Sequence, residues 1–287
     1  MRRNQTQREA LYALYKAKVR APRAVYEEAV REYETLRTAG GDFLDPEDDA
    51  YPERLRQRLN APPWLFYRGS RPKPLRLLCR PGVAIVGARN ASPWGLRCAE
   101  GIALGLARRG VNIISGYARG VDRMAHYGAL QAPRGGTTLV LSEGILHFAP
   151  KGELRDVEDW ERRTLILSPF PPTAPWRPSQ AMSRNQIICA LADLVVVVEA
   201  GPERDEKGKR SGTFHSGKTA LELGVPLFVV EYREGQRSLL DSSEELPETP
   251  EGNRALLARG GRPLPLDPHK WEKSLREAVR TLYQALG

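Results

Sequence analysis

The sequence predicts a doubly wound, mostly parallel α/β sheet with a small helical N-terminal extension and a C-terminal helix. Three observations predict it. From residue 76 onward, short β-branched runs alternate with amphipathic helical stretches, the rhythm of β-α-β units. The first two runs, VAIV and VNIIS, are each followed by a glycine, Gly87 and Gly116, where a chain turns from strand toward helix. The run DLVVVVEA is apolar on both faces, as a strand at the centre of a parallel sheet must be.

Residues 1–75 read as a helical extension and lead-in. TQREALYALYKAKV and PRAVYEEAVREYETLR place apolar residues three and four apart. Pro62-Pro63 and the turn at Gly69-Ser70 break any helix beyond them, and RPKPLRLL is a short linker. Residues 76–235 form the core. VAIVGAR is its first strand. SPWGLRCAEGIALGLARRG is a helix with Ser92 as N-cap, Pro93 in the first helical position and Gly110 as stop. VNIISG is a strand, VDRMAHYGALQA a helix and TTLVLSEG a strand. EDWERRTLILSPF supplies a helical turn and a strand, and PSQAMSRNQIICALA a helix. After DLVVVVEA come the helix RSGTFHSGKTALELG and the strand VPLFVVEY. Residues 236–287 are polar and irregular until DPHKWEKSLREAVRTLYQAL, an amphipathic helix with Asp267 as candidate cap. There is no internal repeat and no low-complexity tract.

The 287 residues suffice for a sizeable core. No apolar run reaches the roughly 20 residues that cross a bilayer. The start, MRRNQTQREALYALYKAK, lacks the apolar stretch of a secretory signal, so the cytoplasm is the expected location. Cys79, Cys98 and Cys189 are odd in number and form no C-x-x-C pair, so they read as small buried hydrophobes. His126, His147, His215 and His269 have no zinc-site spacing, and no metal is expected. The net charge of +9, from 44 Lys+Arg against 35 Asp+Glu, favours an anionic partner such as nucleic acid. An Arg- and Pro-rich composition can equally reflect thermal adaptation or codon bias.

The stretch Gly212 to Thr219 spells the P-loop pattern G-x-x-x-x-G-K-T. A working P-loop follows a strand directly, so that its backbone N–H groups meet the phosphates at the helix start. Here residues 200–211 intervene after Glu199, and the strand before them offers no clear Mg²⁺-binding Asp. The blander alternative is a helix start turned and capped by Ser211, Gly212 and Thr213. Between the two lies a simple anion site at that helix start, with Lys209, Arg210 and Lys218 nearby.

Other loops agree with an anion site. Gly87 and Arg89 follow the first strand. Ser115, Gly116, Arg119, Gly120, Asp122 and His126 follow the second, and WRPSQAMSRNQ adds Arg177, Arg184 and Asn185. Glycine lets a ligand approach the backbone, and arginine offers paired donors to phosphate. GARNASPWG is not the dinucleotide fingerprint, and the second strand ends in Ser115 rather than an acid, which disfavours NAD. Asp122 and His126, four apart on one helix, could form an acid-base pair, but no nucleophile or metal partner accompanies them.

VAIVGARNASPWGLRCAEGIALGLARRGVNIISGYARGVDRMAHYGAL resembles the DNA-processing protein A family, also called Smf. LILSPFPPTAPWRPSQAMSRNQIICALADLVVVVEA and RSGTFHSGKTALELGVPLFVV continue the resemblance in the family's order, and YPERLRQRLNAPPWLFYRGS leads into it. It covers residues 51–231. The resemblance implies an extended Rossmann-like fold that dimerises, binds and protects single-stranded DNA, and loads the recombinase RecA during natural transformation. It implies no catalytic activity and no cofactor. By position, Arg89 would contact phosphates, with Ser115, Gly116, Arg119, Arg184, Asn185, Ser211, Gly212 and Thr213 lining the pocket.

Three features depart from the family pattern. Ala181 stands where an aromatic residue is common, so the chain either binds DNA more weakly or stacks a base on another ring such as Trp176; stacking contributes ~1–3 kcal/mol per base. GPERDEKGKR is an inserted charged loop, and the tail after residue 235 does not resemble a winged-helix domain. A competing expectation is a nucleotide sensor or nucleotide-processing enzyme of a related Rossmann group. The P-G-G-x-G-T-x-x-E string of that group is absent here.

Overall fold

The computed structural model describes residues 5–17, 23–69, 74–232 and 248–287. Part of the linker and the start of the tail, residues 70–73 and 233–247, lie outside the described residues. Helices α1 (Gln5–Ala17) and α2 (Arg23–Thr38) open the chain, as their periodicity predicts. The rest of the lead-in is not only helical. It holds strand β1 (Gly41–Leu44), helix α3 (Glu53–Arg58) and strand β2 (Leu65–Gly69).

The core follows the predicted alternation: β3 (Gly82–Val86), α4 (Pro93–Ala107), β4 (Asn112–Ser115), α5 (Val121–Gln131), β5 (Gly136–Val140), α6 (Trp160–Arg163), β6 (Thr164–Ser168), α7 (Pro178–Leu191), β7 (Leu194–Val197), α8 (Gly212–Glu222) and β8 (Leu227–Tyr232). Ser92 caps α4 by accepting from the Gly95 N–H at 3.0 Å, with Pro93 behind it. Gly110 ends the same unit at φ +82°, a conformation that suits glycine.

The tail corrects the reading of an irregular stretch. It contains α9 (Glu251–Ala258) and β9 (Arg262–Leu266) before α10 (Trp271–Gln284). Asp267 does cap, but it caps a short 3₁₀ turn ahead of α10, accepting from the His269 N–H. Asn253 on α9 explains the docking of this segment. It is fully buried, donates to the Val198 and Val230 carbonyls at 2.8 Å each, and accepts from the Ala200 N–H at 2.8 Å. Three of its hydrogen-bonding positions thus close the carboxyl ends of β7 and β8.

Among the described residues the strands form one nine-stranded sheet in the order β1-β2-β6-β5-β4-β3-β7-β8-β9. From β6 to β9 every pairing is parallel; β1 and β2 add an antiparallel margin. Alternation along β3 sorts its side chains. Val83 and Ile85 pack with α4, α5 and α10 on one face, while Ala84 and Val86 pack with α7 and α8 on the other. A third cluster, with Tyr12, Tyr33, Phe43 and Phe66, joins the N-terminal helices to Leu139 and Ile166. Arg54 of α3 pairs with Asp193 at 2.8 Å, and the same carboxylate accepts from the Gly82 N–H at 2.7 Å. Cys98 and Cys189 are buried as expected, whereas Cys79 is exposed at the end of a 3₁₀ turn.

Candidate nucleic-acid interface

Strand β3 lies between β4 and β7, so the winding reverses there. Loops that leave the carboxyl ends on either side of such a point diverge and leave a crevice, where doubly wound sheets bind ligands. The turns after β3 and β4 interlock. A Cβ at Gly87 would come within 2.5–2.7 Å of the Val121 side chain, and one at Gly120 would strike the Ala88 and Arg89 carbonyls. Gly120 is held at φ +89°, and the Val121 N–H donates to the Ala88 carbonyl at 3.2 Å. Arg119 donates to Asn90 across the two turns. Arg89 and Arg119 are therefore both exposed on one braced ledge.

Beneath that ledge is a buried polar layer. Ser115 is fully buried and its hydroxyl donates to the Ile85 carbonyl at 2.6 Å, tying β4 to β3. Arg184, only 4% exposed, donates from Nη1 to the Val140 carbonyl and lies against Gly116, where a Cβ would collide with its guanidinium. Ser115 and Arg184 thus support the ledge from below, which corrects the expectation that they line its surface. Asp122 is buried beside them and accepts from the Ala118 N–H at 3.3 Å. Burial raises the Asp122 carboxyl above its ordinary range, opposed by the nearby Arg184 charge. Burial correspondingly lowers the Arg184 pKa, opposed by Asp122.

Burial pushes His126 down to about 3, with the Arg184 charge adding to the effect. The Thr137 hydroxyl donates to the Ile113 carbonyl, so it accepts from Nδ1–H of a neutral His126 at 2.6 Å. Asp122 and His126 hold loop and sheet together in the interior.

The opposite side of the crevice is built from α7 and α8. Ser211 caps α8, accepting from the Phe214 N–H at 3.2 Å, and Asn185 donates to the Gly212 carbonyl at 3.2 Å. Ser211, Gly212 and Thr213 are half-buried at a helix start whose first N–H groups lack helical partners. Gly217, Lys218 and Thr219 lie inside α8. Gly217 packs on Leu256, Thr219 is buried, and Lys218 faces Glu222 at 3.7 Å. The P-loop spelling therefore falls on a helix interior, where no phosphate cradle can form. Arg177 is exposed at the N-cap of α7, beside Trp176 at 48% exposure. Lys209 and Arg210 are exposed on the hairpin that precedes Ser211.

One participant escaped the sequence reading. The 7%-exposed carboxylate of Glu199 accepts from the Ser92 N–H at 2.8 Å, from the Ser92 hydroxyl and from the Tyr232 hydroxyl. It sits so close to Gly95 that a Cβ there would be 2.5 Å from Cδ. A dinucleotide fold binds its pyrophosphate at this helix start. Here a resident carboxylate fills the place. The available signal was a lone acid after four valines.

The family profile described as DNA recombination-mediator protein A matches residues 42–247. The chain belongs to that family. It is 36% identical over 184 residues to DNA processing protein DprA of Streptococcus pneumoniae, covering 64% of this chain and 60% of the relative. It is 34% identical over 189 residues to protein Smf of Escherichia coli, covering 66% and 47% respectively. The matched stretch thus spans about half to three-fifths of these recombination-mediator relatives. The X-ray structure of S. pneumoniae DprA superposes with a TM-score of 0.65 at 27% identity, over 96% of this chain and 92% of that one. DNA processing protein A of Helicobacter pylori superposes with a TM-score of 0.62 at 25% identity, over 85% and 96%, and its structure is described for a single-stranded DNA binding mode. Among the described residues, no helix is long and apolar enough to cross a membrane.

Proposed function

We propose that this chain binds single-stranded DNA along the carboxyl edge of its sheet, without chemistry or cofactor. The observation that carries this reading is the set of exposed cations on separate loops of that edge: Arg89, Arg119, Arg177, Lys209 and Arg210, beside the open start of α8. Arginine and backbone N–H donors grip phosphates without reading bases. The glycines let the two turns pack against each other and so fix where Arg89 and Arg119 stand. In this reading the protein acts in the cytoplasm as a homodimer that shields single strands and promotes loading of RecA onto them. Against a nucleotide sensor that used the α4 start, the Glu199 carboxylate already occupies that helix start.

Fluorescence anisotropy with labelled oligothymidylate, titrated at several salt concentrations, tests the reading. Arg89→Ala combined with Arg177→Ala should weaken binding and lower the salt slope by about 1.4, at ~0.7 per lost phosphate contact. Unchanged binding and slope would overturn it.

A further inference from the structure

The inserted charged loop is an ordered hairpin. The Ser211 N–H donates to the Glu203 carbonyl at 3.2 Å, the Asp205 N–H to the Lys209 carbonyl at 3.0 Å, and the Gly208 N–H to the Asp205 carbonyl at 2.8 Å. Arg204 and Arg210 face each other as antiparallel bridge partners. The turn is fixed by the Asp205 side chain, which accepts from the Lys207 and Lys209 N–H groups at 3.0 and 2.8 Å, and by Gly208 at φ +74°. The base is pinned to α9 by the Glu203–Arg259 ion pair at 2.8 Å.

This construction sorts the charges. Glu203 is engaged by Arg259, Asp205 is folded onto its own backbone, and Glu206 at the tip is, among the described residues of the hairpin, the one exposed acid left against the cations Arg204, Lys207, Lys209 and Arg210. Lys207, Lys209 and Arg210 are exposed and form no ion pair among the described residues. Arg204, whose Nη1 donates to the Gly208 carbonyl at 3.2 Å, and Arg210 are like charges on opposite strands, an arrangement that weakens a strand pair. The hairpin also leads straight into Ser211, at the edge where Arg89 and Arg177 stand.

We propose that the Glu203–Ser211 hairpin is an arm that holds the phosphates of a single-stranded nucleic acid after the strand leaves the sheet edge, and so sets how long a stretch the chain covers. The proposal rests on the edge being a nucleic-acid interface. Because the arm is already ordered, little conformational freedom is lost when it engages.

The test compares oligothymidylates of increasing length by anisotropy, using the full chain, with thermal melting as a folding control. Lys207→Ser/Lys209→Ser should weaken long oligomers several-fold more than short ones and lower the long-oligomer salt slope by about 1.4, from two lost contacts. Asp205→Ala should also weaken long oligomers, although it removes a negative charge, because it unfixes the turn. Equal loss at every length, or no loss, in the Lys207/Lys209 variant would overturn the arm, as would tighter binding by Asp205→Ala. So would a Lys207/Lys209 effect confined to polyglutamate, which would mark a protein-docking arm. If Arg89→Ala/Arg177→Ala still weakens DNA in those cases, the edge reading survives while the arm fails. Absence of wild-type DNA binding would remove both.

Discussion

The Arg184 guanidinium lies against the bare Cα of Gly116, in the space any other residue's Cβ would fill. This contact sets the floor of the ledge that carries Arg119. Gly116→Ala must displace a buried guanidinium, so it should destabilise the fold by about 1–3 kcal/mol, as overpacking does. Urea unfolding monitored by circular dichroism measures it. A neutral effect would mean that the loop has room to spare.

Arg184→Ala removes the charge beside Asp122 and leaves that carboxylate buried without it. Losing this buried donor to the Val140 carbonyl as well should cost about 1–3 kcal/mol, more than for an exposed arginine. Arg177→Ala, exposed at the α7 N-cap, should cost under about 0.5 kcal/mol in the same assay.

His126 gives the fold a pH signature. Its pKa falls from 6.5 in the unfolded chain to about 3 in the native state. Between these values the unfolded chain holds the extra proton, so stability rises with pH, by up to about 1.4 kcal/mol per unit. Asp122 acts with the opposite sign above 3.8, because its raised pKa lets the native state hold the proton. The separable expectation concerns His126→Gln. Its melting temperature, followed between about pH 4 and 7, should fall less steeply on acidification than that of the parent chain. Parallel curves would show that His126 is accessible to protons in the native state.

Glu199 fills an anion socket with its own carboxylate. Glu199→Ala should cost about 1–3 kcal/mol through unsatisfied partners. Inorganic pyrophosphate should then raise the melting temperature of the variant but not of the parent. If pyrophosphate affects neither, the α4 start is not a latent anion site.

Trp176→Ala should weaken oligothymidylate binding by ~1–3 kcal/mol while leaving the salt slope intact, the mark of a base stack rather than a phosphate contact. A changed slope with unchanged affinity at low salt would place Trp176 away from the bases.

The parallel core was legible because its strands are apolar runs that end in turn residues, and its helices carry caps such as Ser92, Pro93 and Gly110. The margins were not. β1 is four residues with an aspartate, and β9 reads RPLPL, whose prolines argue against a strand. Both are strands because the sheet supplies partners, which no local pattern encodes. α9 was hidden for the same reason, since Asn253 is defined by the strand ends it closes.

The site divided along depth. Sequence placed these loops at one edge of the sheet, but it could not separate Arg89 and Arg119 on the surface from Arg184 beneath them. An arginine reads the same wherever its side chain goes.

β9 is the last strand of the sheet, and two of its five residues, Pro263 and Pro265, have no N–H. A strand from another molecule that came alongside would meet gaps where donors should be. Pro263 and Pro265 thus blunt the edge at which this sheet would otherwise add a tenth strand.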